Sequence, residues 1–434
     1  MARDVIVSLQ MNEIDAVGAE IDGEAAGARH VRVETSERPW VFGLLPAPIA
    51  VLSNGIIQGV LSFLMRRQGV SVERIAGIVS LLILPQTIYF LWSPVTDFVM
   101  RRRSWLMLGA SGAGLLMALA FHAQRLASPA AVAVMFLSAC CGQLVVSSCG
   151  GMMGTLHRER SRRVASGFYQ GSFLGFGGLA VFVLAMLVTK MGQGALGWVA
   201  AALIVLPALA AFAAPEQEVI ADDGLGKTMG RVWGEFKSTF LCWRAVPYTL
   251  MMVFPQASGS AIGLLPGVAQ DYGVSGSHMA WMNGLAGALL MAAGSLSATL
   301  IPARMRASVG YMTVALVNAA TLGVLALGPL TPATYYAGVT LYLFTIGAAY
   351  AMFTAVVLEF LGVSGKSGSG RYSIINSLGN VPVAYMVVMD GWGDKVWGTR
   401  GLSGTEAVAS ALGAGVLLAW FLTKGRERKT AASF

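Results

Sequence analysis

Charged residues are scarce in this sequence. Asp, Glu, Lys and Arg together make up 12% of its 434 residues, whereas soluble domains average about 25%. Hydrophobic residues make up 56%, and the mean hydropathy is +0.66. This balance excludes an ordinary soluble domain and predicts a polytopic membrane protein.

Cysteine and histidine are also scarce, with four of each. Neither type falls at a metal-ligand spacing, and Cys140, Cys141 and Cys149 lie inside apolar runs, which favours small reduced packing residues over disulfides. No nucleophile with a base and no phosphate-binding glycine loop occurs at a working spacing. We therefore expect no enzymatic activity, no cofactor and no metal site.

The distribution of basic residues predicts the topology. The formal net charge is +8, but Lys and Arg lie in short turns rather than on one face, which argues against nucleic-acid binding. Of the 30 basic residues, 23 fall in the two tails and in the turns after spans 2, 4, 6, 8 and 10. Basic residues favour the cytoplasmic side, so both termini are predicted to be cytoplasmic. The twelve predicted transmembrane helices cover residues 40–65, 75–96, 104–123, 130–155, 164–189, 196–214, 245–270, 278–301, 309–328, 333–361, 372–390 and 405–423.

Two halves of the sequence resemble each other at an offset of 204 residues. Gly69-Val70-Ser71 after span 1 recurs as Gly273-Val274-Ser275 after span 7. Two six-helix pseudo-repeats resemble the plan of the major facilitator transporters. The predicted domains are a cytoplasmic tail (1–39), an N-terminal half (40–214), a linker (215–244), a C-terminal half (245–423) and a second tail (424–434). The linker is expected to hold a short surface helix from Leu225 to Phe240, and the N-terminal tail either regulates the protein or is dispensable.

One stretch, from Ile75 to Leu106, carries the most specific pattern. Arg101, Arg102 and Arg103 hold a turn on the cytoplasmic side, because an arginine at mid-span costs about 2.5–3.5 kcal/mol. Pro94 is expected to bend the preceding helix. Asp97 falls at the membrane edge, where a carboxylate needs a partner.

This stretch resembles the AmpG muropeptide permease group, which also includes acetyl-CoA transporters and siderophore permeases of the RhtX/FptX kind. The residues that carry the resemblance are Gln58, Gly77-Ile78, Phe90-Leu91-Trp92-Ser93-Pro94, Asp97, Arg101-Arg102-Arg103 and Trp105. The resemblance implies a monomeric secondary transporter in the bacterial inner membrane that works by alternating access. Its partners would be the lipid bilayer, protons and a small amphipathic or polar substrate, taken up as muropeptide- or siderophore-like molecules. An efflux permease and a non-transporting receptor of the same fold stay open.

Polar residues recur on one face of several predicted spans. In the major facilitator plan spans 1, 4 and 7 line the central cavity, so these residues are substrate-binding candidates; the alternative is hydrogen bonding between helices. The candidates are Asn54, Gln58, Ser62, Gln143, Ser147, Gln256, Ser260, Tyr342, Asn376 and Asn380.

Acidic residues are predicted at span ends, namely Asp97, Glu359, Asp390 and Glu406. Asp97 is expected to meet Arg371 at the start of span 11 and to hold the inner gate shut; the alternative is a solvated side chain. Glu359 and Asp97 are the proton-coupling candidates.

Overall fold

The computed structural model describes residues 38–91, 95–96, 100–154, 159–214, 225–241, 245–302, 305–364, 375 and 377–431. Every secondary-structure element in these ranges is a helix, as the sequence predicts for a membrane protein. The helices in chain order are α1 (Pro39–Arg67), α2 (Val72–Thr87), α3 (Arg102–Phe121), α4 (Pro129–Gly154), α5 (Glu159–Leu187), α6 (Gln193–Ala208), α7 (Leu225–Phe240), α8 (Val246–Val253), α9 (Leu265–Val268), α10 (Gly276–Ser297), α11 (Ala307–Leu327), α12 (Pro332–Ser364), α13 (Val381–Trp397) and α14 (Thr399–Ala431).

Nine helices in the described ranges are long and apolar enough to cross a membrane. They correspond to predicted spans 1–4, 6, 8–10 and 12. Predicted span 5 lies within α5, whose apolar part is Gly171–Leu187. Span 7 is interrupted, and span 11 is described mainly through α13. The total of twelve and the cytoplasmic termini stay predictions.

The interruption of span 7 lies between α8 and α9. Ala257 has φ 46° and Gly259 has φ 78°, so the chain leaves the helical conformation there. Three tyrosine hydroxyls from other helices donate to carbonyls along this span: Tyr311 to Gln256 (3.1 Å), Tyr335 to Leu265 (3.1 Å) and Tyr385 to Val253 (2.8 Å). Backbone groups inside a membrane need internal partners, and these side chains supply them.

The repeated tripeptide forms the same turn twice. Gly69 and Gly273 have φ 77° and 71°, a conformation that glycine adopts without steric cost. Ser71 caps the start of α2 by accepting a hydrogen bond from the N–H of Arg74, and Ser275 caps α10 in the same way. We call this side of the molecule the paired-turn end, defined by residues 69–71 and 273–275.

Helices before and after α7 meet closely towards the paired-turn end. Along α2 and α13, Ser80 donates to the carbonyl of Ala384 at 2.7 Å. Gly391 lies so close to α2 that an added Cβ would be 2.3 Å from the Cβ of Ala76. Lys395 pairs with Glu73 across the same two helices at 2.8 Å.

The predicted linker helix is present as α7. Its aromatic residues continue into the protein, since the ring of Phe236 lies 5.3 Å from that of Phe240, and Phe240 lies 6.2 Å from Phe360 of α12. These contacts attach the linker helix to the end of α12.

Candidate substrate path and buried carboxylates

Asn54 and Gln58 lie on a π-helical part of α1, residues Val51–Val60. The other eight residues of this segment are buried, whereas these two are half-buried. π-helical turns are rare and often mark functional sites. The two amides, four residues apart, therefore form a half-buried polar strip on an otherwise buried segment.

The surroundings of this strip come from α5 and the interrupted span. Asn54 donates its amide to the carbonyl of Phe173 at 3.3 Å, and Gln58 forms no hydrogen bond with any described residue. A Cβ on Gly177 would lie 2.8 Å from the Cβ of Asn54, and one on Gly263 would lie 3.8 Å from the Cα of Gln58. Glycine thus brings both neighbouring segments close to α1 and leaves the Gln58 amide available.

Three other substrate-binding candidates are buried between helices. Gln143 is buried and donates to Ala139 of its own helix at 3.3 Å. The hydroxyl oxygens of Ser62 and Ser147 are buried and have no hydrogen-bond partner within the described ranges. In this conformation these three side chains serve helix packing.

Two candidates lie in the interrupted span. The amide of Gln256 donates to the carbonyl of Met251, and the residue is 1% exposed. Ser260 is equally buried, and its hydroxyl is hydrogen-bonded to Asp390 of α13 at 2.5 Å. Both residues therefore serve the internal structure of the interrupted span.

Three tyrosines of α12 have different surroundings. Tyr335 and Tyr342 are fully buried, whereas Tyr350 is 38% exposed. The hydroxyl of Tyr350 lies against Gly259, since a Cβ placed there would clash with it. Tyr350 is therefore the partly exposed tyrosine of the three, with its hydroxyl at the interruption of span 7, whereas the sequence predicts Tyr342 as the substrate-binding tyrosine.

Asp390 and Glu406 form the centre of a buried polar cluster. The sequence predicts both at span ends, but each is 0% exposed. Glu406 accepts hydrogen bonds from the backbone N–H of Ala261 at 2.9 Å and from the hydroxyl of Tyr342 at 3.2 Å. No lysine or arginine in the described ranges pairs with either carboxylate.

A model of one protein family matches most of this helix bundle. The Major Facilitator Superfamily model matches residues 48–384, well over half of the chain. The chain belongs to the major facilitator superfamily. It is therefore a membrane-spanning secondary transporter, as the sequence analysis predicts.

A solved superfamily structure has the same fold. The crystal structure of a D-xylose-proton symporter is similar to this chain with a TM-score of 0.64 and 13% sequence identity. The match covers 87% of this chain and 95% of that chain, and at this identity it shows the fold alone. No curated protein sequence matches the chain.

The predicted gate is only partly described. Pro94, Asp97, Arg371 and Asn376 lie outside the described residues, as does the side chain of Glu359. Arg102 donates to the carbonyl of Gly151 at 2.7 Å, while Arg101 is exposed and Arg103 is half-buried. Asn380 is half-buried just before α13. The latch between Asp97 and Arg371 stays a prediction for this superfamily member.

The sequence analysis does not predict that Asp390 and Glu406 are buried. Predicted span 11 ends at Asp390, before the polar run Gly391-Trp392-Gly393-Asp394-Lys395. In the structure α13 continues to Trp397, two helical turns further. A helical continuation through this polar run would have placed Asp390 inside the bundle.

Proposed function

We propose that this transporter imports a small amphipathic or polar solute across the bacterial inner membrane by alternating access, driven by protons. The favoured substrate class is muropeptide-like or siderophore-like, with sugar or catechol rings beside hydrogen-bonding groups. The observation that carries this proposal is the half-buried pair of amides, Asn54 and Gln58, on an otherwise buried segment.

We take Asn54, Gln58 and Tyr350 as the lining of the substrate opening, and their uncharged groups match the rings and hydrogen-bonding groups of such a solute. An amide both donates and accepts hydrogen bonds, and neither Asn54 nor Gln58 carries a charge that would need neutralising. The exposed ring of Tyr350 adds an aromatic face, which suits stacking on a sugar or catechol. This combination fits the usual composition of ligand sites, in which a few polar groups orient an otherwise apolar molecule.

The finer assignment has independent support from the sequence. The resemblance to the AmpG group through Gln58 and residues 90–105 favours muropeptide and siderophore substrates. The similar solved structure is that of a D-xylose-proton symporter, but 13% identity supports only the fold. Proton coupling therefore rests on the resemblance and on carboxylates buried inside the bundle.

Transport into proteoliposomes tests the proposal. The purified protein is reconstituted with an alkaline interior, and the probes are a radiolabelled disaccharide muropeptide and a ferric catecholate siderophore. We expect one of them to accumulate. Gln58→Ala should weaken its apparent affinity about three- to tenfold, because a hydrogen bond contributes about 0.5–1.5 kcal/mol.

The control is Gln270→Ala, which removes the same group from an exposed position. It should transport like the wild type. A probe that binds without counterflow would indicate a receptor, and release against the imposed gradient would indicate an efflux permease. Either result, or an unchanged Gln58→Ala variant, would contradict the proposal.

A further inference from the structure

A chain of four buried side chains connects α13 to α14 through the interrupted span. Asp390 Oδ2 lies 2.5 Å from Ser260 Oγ, Ser260 Oγ lies 3.0 Å from Ser258 Oγ, and Ser258 Oγ lies 3.0 Å from Glu406 Oε1. All four residues are at most 5% exposed. The interruption of span 7 makes this possible, because it turns two serines on either side of Gly259 towards the two carboxylates.

The two serine hydroxyl groups supply too few hydrogens for the three hydrogen bonds in this chain of side chains. Each of the three oxygen–oxygen contacts needs one hydrogen, but the two serine hydroxyls supply only two. A third hydrogen is supplied if one carboxyl group is protonated. Each of the three oxygen–oxygen contacts then has one hydrogen.

A second observation points to the same missing hydrogen. Asp390 Oδ1 is buried and accepts no hydrogen bond from the described part of the chain. A buried carboxylate without a cation and with a bare oxygen is very unfavourable, whereas a neutral carboxyl group tolerates this environment. The geometry therefore favours the neutral form at Asp390.

Glu406 has the opposite environment. It accepts the backbone N–H of Ala261 at 2.9 Å and the hydroxyl of Tyr342 at 3.2 Å, in addition to Ser258. Hydrogen bonds to a carboxylate stabilise its charged form. Of two neighbouring carboxyl groups, Glu406 thus holds the negative charge and Asp390 holds the hydrogen.

We propose that Asp390, Ser260, Ser258 and Glu406 bind a single transported proton and pass it between the two carboxylates. The Asp390 hydrogen moves to Ser260 Oγ, the Ser260 hydrogen moves to Ser258 Oγ, and the Ser258 hydrogen moves to Glu406 Oε1. Three O–H bonds break and three form, the negative charge passes from Glu406 to Asp390, and nothing is oxidised or reduced. This inference rests on the proposed proton coupling and assigns its site.

Among the described residues, few other ionisable groups face this relay, which consists of Asp390, Ser260, Ser258 and Glu406. From α12 they are Tyr342 and Tyr350, and from α11 Tyr311 contacts the interrupted span at Gln256. On α2, Glu73 is already paired with Lys395 of α13. The next acid on α13, Asp394, lies one turn further, where its charged neighbours are Arg66 and Asp271.

The relay lies close to the proposed substrate opening and to the contact between α2 and α13. Gly259, between the two serines, lies against the partly exposed Tyr350. Asp390 is followed by Gly391, which packs on Ala76 of α2. A proton on the relay therefore lies beside the proposed substrate opening and beside a contact between helices that must separate.

Infrared spectroscopy of the purified full-length protein tests the site without a substrate. At neutral pH we expect a carbonyl band of one protonated carboxyl group that shifts on ¹³C-aspartate labelling and is lost in Asp390→Asn. Ser308→Ala, which removes a buried hydroxyl that has no partner in the described ranges, should leave the band unchanged. The labelling experiment uses the wild type, so it stands even if Asp390→Asn does not fold.

The relay itself is tested by Ser258→Ala. The band should persist, because Asp390 keeps its proton, but accumulation of the probe solute driven by a pH gradient should be lost while counterflow continues. No aspartic acid band at neutral pH, or a band removed by adding sodium ions, would overturn the proton site. Wild-type accumulation by Ser258→Ala would overturn the relay, whereas failure of all transport with the band intact would contradict only the proposed function.

Discussion

A single methyl group at Gly391 should shift the balance between the two states of the transport cycle. Gly391 of α13 lies against Ala76 of α2, and a Cβ added there would be 2.3 Å from the Cβ of Ala76. Ordinary contacts are 3.4–4 Å, so Gly391→Ala requires α2 and α13 to separate by at least about 1.1 Å. The described conformation has these helices in contact, and alternating access requires a second conformation in which they part.

The size of the shift follows from the cost of overpacking. An extra methyl group in a close-packed contact costs about 1–3 kcal/mol. Only the conformation with α2 and α13 in contact bears this cost. We therefore expect the ratio of the two conformations to change by about 5- to 150-fold towards the open form.

Spin labels at Arg125 and Leu330 measure this ratio. Both positions are exposed in turns near the paired-turn end, one before α7 and one after it. In Gly391→Ala the population with the longer distance should grow. Gly77→Ala is the matched control, because it adds a methyl group to α2 where nothing lies within 4 Å.

A compensating substitution makes the test decisive. The clash is between two Cβ atoms, so Ala76→Gly together with Gly391→Ala should restore the wild-type distances. An unchanged distribution in Gly391→Ala would refute the idea that this contact opens during transport. Failure of the double variant to recover would refute the assignment of the effect to this pair.

Two further predictions concern stability and topology. Gly294→Ala should lower the thermal unfolding temperature in detergent, because its Cβ would lie 1.8 Å from the carbonyl oxygen of Phe344. The control Gly323→Ala has open space around its Cβ and should be neutral or slightly stabilising. Equal unfolding temperatures for the two variants would contradict the packing argument. In intact cells, a cysteine replacing Lys395 should react with an impermeant thiol reagent while one replacing Lys227 should not. The reverse labelling would overturn the predicted orientation.

The sequence predicts those parts of the fold that depend on residues close together in the chain. Apolar runs of membrane length predict the long helices, and the repeated Gly-Val-Ser tripeptide, predicted to follow spans 1 and 7, forms the turns at Gly69 and Gly273. The linker helix from Leu225 to Phe240 also agrees with the sequence prediction. In each case the determining residues are close together in the chain.

The buried site depends on contacts between distant residues, and these were not predictable. Ser258 and Glu406 are 148 positions apart, and their contact requires span 7 to be interrupted. Nothing in the spacing of Gln256 and Ser260 distinguishes a cavity-lining face from one that bonds to α13 and α14. Asn54 and Gln58 stay predicted substrate-binding residues, and their spacing of four residues leaves both half-buried on the same segment.

The interruption of span 7 also has a consequence for the order in which the protein is built. The N–H of Ala257 is bonded to Ser410, and the N–H of Ala261 is bonded to Glu406. Both partners belong to α14, which leaves the ribosome about 150 residues after the segment it completes. Unpartnered backbone groups are very unfavourable in hydrocarbon, so the nascent segment 254–261 must stay hydrated or helical until α14 arrives. Span 7 therefore reaches its native shape only after α14 has been synthesised and has packed against it.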